Sequence, residues 1–328
     1  YYEKNDYARA LYEFQVILGS PAAAEFHDEA LYWSGEIYMN NGDLEGALEC
    51  YERIVNDLPA SKYLGYAIYS KGWVYRMLGL FDEAIKCFED AVSKYPMDKV
   101  SMEAQFRLGE SLYLSAKYKK AEEELDGFIE KYPLSEKTPE AYYLDGETKL
   151  HQGKYRESIV FFDRALAISP DAGWAPLAVY GAGRALYELG EFTASSGRFK
   201  RCLEMAGGES IRSHALLGLA RSYRKSLASS EALKTCDRII AEYTEDDVAQ
   251  EAYYQKVRLL YDDMKYAEAE SAAMKAMAGF TDGPFAGPLR YELGRIYIMQ
   301  DRYDEAIKEF IRIADESEDI ELRASAVF

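Results

Sequence analysis

The chain has 328 residues, 48% of them apolar, enough for a continuous core, yet it has no run of roughly eighteen apolar residues able to cross a bilayer as a helix. Its formal net charge of −18 argues against nucleic acid as a partner, because backbone binding needs a positive footprint. His27, His151 and His214 stand far apart, and no P-loop, nucleophile elbow, C-x-x-C pair or zinc-protease motif occurs, so no catalysis, metal or cofactor is expected.

Residues 1–18 read as the second half of a helical unit, with Tyr7, Ala10 and Phe14 in its turn-aromatic, alanine and aromatic places. No first helix and no Met precede them, which reads as a slice of a longer repeat protein, from which any targeting signal would be missing. From residue 28 a 37-residue period sets in. Gly35, Gly72, Gly109, Gly146, Gly183, Ala220, Val257 and Gly294 form one column of mostly small residues. Twelve residues on stand Ala47, Ala84, Ala121, Ser158, Ser195, Ala232, Ala269 and Ala306; five residues before stand Ala30, Ala67, Ala104, Ala141, Ala178, Ala215, Ala252 and Leu289. Three columns in one register identify internal repetition as the organising fact.

Each period spells two helices. In the second, Ile68, Gly72 and Tyr75 share one face of the first helix, and Ala84, Ile85, Phe88, Ala91 and Val92 share one face of the second. Gly42, Gly79, Gly153 and Gly190 mark the turn between them, where a helix ends in the left-handed conformation. An aromatic two residues later opens the second helix at Phe81, Tyr118, Tyr155, Phe192, Tyr266 and Tyr303. Pro59, Pro96, Pro133 and Pro170 stop it, and Pro139 and Pro176 sit where a new helix tolerates a missing N–H. Gly72 and Ala84 are expected where the two axes cross closely, with Phe88 filling the space beyond. Cys50, Cys87, Cys202 and Cys236 read as small core residues; the first two should lie about one helix spacing apart, too far for a disulfide. The 279–288 link is the most irregular, either an ordinary loop or a bend. Ala326 and Phe328 fall in the columns of a further first helix.

These columns resemble the tetratricopeptide repeat (TPR). With Asp28 as position one, the family's small residue at eight is Gly35, its tyrosine at eleven Tyr38, its alanine at twenty Ala47 and its proline at thirty-two Pro59. The resemblance covers essentially the whole chain. It implies an all-α, right-handed superhelical solenoid of antiparallel hairpins: a truncated unit and link over 1–27, eight units starting near 28, 65, 102, 139, 176, 213, 250 and 287 and ending at 323, and the start of another helix over 324–328. The period departs from the family's 34, the Trp at position four is absent, and the terminal proline is lost from the fifth unit on, where ends such as Gly207-Gly208 should be looser.

The resemblance also implies that positions two, five, nine, twelve and thirteen of the first helices face a partner. Position five is an aromatic ladder: Tyr32, Tyr69, Phe106, Tyr143, Tyr180, Leu217, Tyr254 and Tyr291. It serves either packing between units or ligand contact. Position nine reads Glu36, Trp73, Glu110 and Glu147, then Arg184, Arg221, Arg258 and Arg295, with Arg224, Lys225 and Lys256 nearby. The arginines are either balanced internally by Glu188, Glu251 and Glu292 or held for an acidic or carboxylate-bearing segment; the three glutamates would then prefer a basic one. The Lys/Asn clamp by which some relatives grip a chaperone C-terminus is not present.

The function so implied is a non-enzymatic protein–protein interaction scaffold with a partner segment in the concave groove. The alternative is an architectural spacer or self-associating array that uses unit ends and the convex face. The links K-Y-P-M-D-K (94–99) and K-Y-P-L-S-E (131–136), each followed by A-x-[FY]-x-x-G, resemble the TPRs of bacterial envelope proteins, of the barrel-assembly lipoprotein and Tol–Pal-associated types. That resemblance points to the cell envelope, with the cytoplasm as the alternative.

Overall fold

The computed structural model describes residues 6–96, 99–205, 207–244, 247–280, 283–316 and 323–325, and every regular element in them is helical. Residues 1–154 and 155–328 form two packed units. The first contains α1 (Tyr7–Leu18), a 3₁₀ segment (Pro21–Phe26), the hairpins α2 (His27–Asn40)/α3 (Leu44–Asp57), α4 (Leu64–Met77)/α5 (Phe81–Lys94) and α6 (Lys99–Leu114)/α7 (Tyr118–Lys131), and α8 (Thr138–His151). The second opens with α9 (Tyr155–Ile168). Four hairpins follow: α10 (Ala175–Glu188)/α11 (Phe192–Met205), α12 (Glu209–Lys225)/α13 (Ser229–Glu242), α14 (Asp247–Asp262)/α15 (Tyr266–Gly279) and α16 (Ala286–Met299)/α17 (Tyr303–Glu316). Within each unit every helix packs on the next, giving an all-α array of stacked hairpins. Ala326 and Phe328, expected to begin a ninth first helix, lie outside the described residues, as do residues 97–98 of the first envelope-like link and 281–282 of the irregular one.

Every hairpin turn passes through the left-handed region at the same column. Gly42, Gly79, Gly153 and Gly190 have φ of 74–80°, and Ala116, Leu227, Met264 and Asp301 take the same place at 57–61°. The turn bonds explain the requirement: Gly79 N donates to Arg76 O and Leu80 N reaches back to Tyr75 O, closing the free carbonyls of α4. The sequence marked this conformation only where glycine announces it. At their other ends α3, α5 and α7 stop two residues before Pro59, Pro96 and Pro133, with Leu58, Tyr95 and Tyr132 at φ of −125 to −127°. Tyr243 and Phe280 adopt the same cap at −127° and −130° with no proline after them, so this terminal geometry does not depend on the proline.

The core is built on a complement between two columns sixteen residues apart. A Cβ added to Gly35 would lie 2.5 Å from Tyr51, one on Gly109 2.7 Å from Leu125, one on Gly183 2.9 Å from Phe199 and one on Gly294 2.7 Å from Phe310. Where the first column holds Ala220 or Val257, the second holds the smaller Cys236 or Ala273, all fully buried. The four cysteines are free, and burial pushes the thiols of Cys50, Cys87 and Cys202 up to about 11 and that of Cys236 to about 12, as expected of inert core residues.

Candidate partner-binding faces

In the first unit the aromatic ladder packs and faces outward at once. Tyr69 tilts against Phe88 with ring centroids 5.7 Å apart, and Phe106 meets Phe128 at 5.6 Å. Phe106 is fully buried, whereas Tyr32 and Tyr69 keep part of their surface at an open cleft of about 570 Å³. The cleft runs along one face of α4 (Tyr66, Tyr69, Ser70, Trp73, Met77). It is walled by α2 through Tyr32, Glu36, Met39 and Asn40, and by α6 through Lys99, Val100 and Glu103. Tyr66 and Glu103 stand at position two, Met39 at twelve, and Asn40 and Met77 at thirteen. Reading those columns down the sequence would have found all five; Lys99 and Val100 precede the third repeat and carried no such signal.

The position-nine residues of this unit have separate fates. Glu36 Oε1 accepts from Tyr51 Oη at 2.8 Å and Ser70 Oγ at 3.0 Å. Trp73 Nε1 donates to Tyr69 Oη at 2.7 Å, and the guanidiniums of Arg107 and Arg76 lie over its ring at 4.5 and 4.9 Å. Glu110 binds both arginines, Arg76 Nη2 at 2.7 Å and Arg107 Nη1 at 2.9 Å, so its charge is balanced internally. Glu147 is buried, and burial raises the hydroxyl pKa of half-buried Tyr143 on the same helix. Next to them, buried Lys149 gathers Glu122 at 2.9 Å, Asp126 at 3.4 Å and Asp145 at 3.2 Å.

In the second unit the arginine file meets the carboxylates named from the sequence, except at its first member. Arg221 Nε donates to Glu251 Oε1 at 2.6 Å. Glu292 is shared: Arg295 Nη1 donates to Oε2 at 2.7 Å and Arg258 Nε lies 3.6 Å from Oε1. Arg224 Nε donates to Gln255 at 3.1 Å, with Asp262 at 3.9 Å. Arg184 is exposed, lies over the Tyr180 ring at 5.9 Å, and has no carboxylate within 4 Å among the described residues. Tyr180 and Tyr291 pack on Phe199 and Phe310 at 5.6 and 5.7 Å, and Tyr254 lies 5.6 Å from Phe285, each ring remaining half-buried.

The histidines are absorbed locally. His27 Nε2 lies 3.0 Å from Ile17 O, His151 stacks on Tyr118 at 4.7 Å and His214 Nδ1 lies 2.7 Å from Ser210 O. Among the described residues no three His, Cys, Asp or Glu gather as a metal site would require, and no helix is long and apolar enough to cross a membrane.

Residues 29–61 and 214–246 match a family model described as tetratricopeptide repeat, and residues 248–319 match another of that description. The chain belongs to the tetratricopeptide-repeat family. The TPR region over residues 67–159 matches a further family model, described as an outer membrane lipoprotein (YfiO). Among solved structures, PilW, titled a widely conserved type IV pilus biogenesis factor, has 17% identity over 68% of this chain and 96% of its own, with a TM-score of 0.55. The pilF protein of Pseudomonas aeruginosa has 16% identity over 68% and 95%, with a TM-score of 0.53. A TPR protein of Parabacteroides merdae has 16% identity over 92% and 97%, with a TM-score of 0.41. The likeness to PilW and pilF shows the fold alone. No curated protein matches the chain.

Proposed function

We propose that this TPR chain is a non-enzymatic scaffold that holds a segment of a partner protein against its first helices. The observation that carries the reading is the division of labour among large side chains. The second helices turn Phe88 and Phe199 fully inward against Gly72 and Gly183, whereas the first helices keep Tyr32, Tyr66, Tyr69 and Trp73 at an open cleft. In the second unit the same face carries Arg184, Arg221, Arg258 and Arg295 against Glu251 and Glu292, their only carboxylates within 4 Å among the described residues, which favours an acidic segment there. The lipoprotein-like match over residues 67–159 supports placement in a bacterial cell envelope.

Photo-crosslinking in the source cells tests this reading. A benzophenone side chain at Tyr66 or Tyr180, on first helices, should give partner adducts that one at Val160 or Met274, exposed on second helices, does not. Adducts confined to Val160 or Met274 would reject the first-helix face. The architectural alternative has its own support: Tyr303, Ile307 and Ile311 form an exposed stripe at i, i+4, i+8 on α17, each more than half exposed. A mass in solution that rises with concentration and falls in Ile307→Lys would favour it.

A further inference from the structure

We propose that the cleft between α2, α4 and α6 takes a basic side chain, arginine or lysine, presented by an extended protein segment. This rests on the reading of the first helices as the binding face and names the chemistry that fills part of it. The deciding feature is how Glu36 is held. Tyr51 Oη and Ser70 Oγ both donate to Oε1, and among the described residues no donor reaches Oε2. Both donors are neutral, so they orient the carboxylate without cancelling its charge. Burial, and then the Glu36 charge itself, pushes the Tyr51 hydroxyl far above its usual range, which keeps it a donor. Glu110, in the same column, is the contrast: two guanidiniums hold it and balance its charge. A carboxylate fixed by hydroxyls keeps its attraction for an incoming cation; one already paired with guanidiniums does not.

Glu103 adds a second carboxylate to the lining and has no cation within 4 Å among the described residues, while the lining amine, Lys99, is exposed. Tyr32, Tyr66 and Tyr69 contribute rings to the same lining, and a cation over an aromatic face is attracted by its quadrupole. Arg107 and Arg76 on Trp73 show guanidiniums making this contact in the adjoining wall. The α4 face from Tyr66 to Met77 is about 16 Å long. That length accommodates about five extended residues. With thioethers at Met39 and Met77, the cleft therefore suits a segment with apolar flanks around its basic residue.

Selection of a displayed random heptapeptide library on the whole chain tests the proposal. Selected peptides should carry arginine or lysine at one fixed position, and Glu36→Gln or Glu103→Gln should weaken them about tenfold or more. Glu36→Gln keeps an oxygen for Tyr51 and Ser70, so the fold is retained; Lys99→Glu should tighten binding. Peptides that need Tyr66 and Met77 but have no fixed basic residue, or that bind the Gln variants equally well, overturn the proposal and leave the binding face standing. Recovery of no peptide sensitive to Tyr66→Ala or Met77→Ala overturns both. Arginine amide binding as tightly as the selected peptides makes the cleft a small-cation site and overturns the docking of a segment.

Discussion

Gly72 and Phe88 contend for one space: a Cβ on Gly72 would lie 2.7 Å from Phe88 Cε1 and 3.1 Å from Cys87 Cβ. Gly72→Ala should therefore destabilise the first unit by about 1–2 kcal/mol, overpacking outweighing the better helix propensity of alanine. In the second unit Val257 and Ala273 hold the corresponding places, with the bulk transferred to the first helix. Ala273→Phe alone should destabilise, and adding Val257→Gly should recover part of the loss. Denaturation midpoints of both single variants and the double read the coupling; strict additivity would deny that these columns fill a shared space.

Leu227 and Met264 hold left-handed turns at φ of 61° and 60° with side chains 88% and 73% exposed. Leu227→Gly or Met264→Gly relieves backbone strain and gives up little burial, so each should raise stability by about 0.5–1 kcal/mol. Gly79→Ala, at φ 74°, should lower it by about 1 kcal/mol. Thermal melts check the opposite signs, and a loss in both Gly variants would show that these side chains do more than fill a turn.

Asp145 is fully buried, and burial raises its carboxyl pKa from 3.8 to about 8 despite the counteracting Lys149 amine. The folded state thus holds a proton that the unfolded chain releases near pH 4. Stability should fall as pH rises from about 4 to about 8 on this account. Asp145→Asn should remove that slope and gain about 1–2 kcal/mol over the wild type at pH 8. Glu122 acts in another window: burial opposes its charge, but Lys154, Lys149 and Gln152 outweigh it and hold the carboxyl near about 2. Its contribution is lost only as pH falls from about 4.5 towards 2. Melts of both proteins at pH 5 and 8 decide; parallel pH profiles would assign the slope to other groups.

Glu292 is buried and serves Arg258 and Arg295 together. Burial raises the Glu292 carboxyl pKa and outweighs both partly exposed guanidiniums, so Glu292→Gln should change stability by less than about 1 kcal/mol. The same variant should bind acidic peptides more tightly, because two arginines lose their internal partner. Arg184→Glu should weaken such peptides with little change in stability, since its side chain is exposed and has no carboxylate within 4 Å among the described residues. Calorimetric titration alongside melting separates these effects; unchanged affinity in both variants would remove the arginine file from recognition.

The sequence by itself determined the repeat, its 37-residue register, the helix pairs and the packing role of the small columns, because each depends on local spacing and on which side chains are small. The turn conformation was readable at Gly79 but not at Leu227, where register alone imposes a left-handed φ on a residue that disfavours it. Tertiary structure decided which charges remain available. Glu36 and Glu110 share a column, yet one is held by two hydroxyls and the other by two guanidiniums. Three of those donors come from other helices than the carboxylate they hold, Tyr51 on α3 and Ser70 on α4 for Glu36 and Arg76 on α4 for Glu110, and their reach across the packed layers is not written in the column. The same physics separates Arg184 from Arg221: both stand at position nine, and only the packing of α14 beside α12 brings Glu251 to the second.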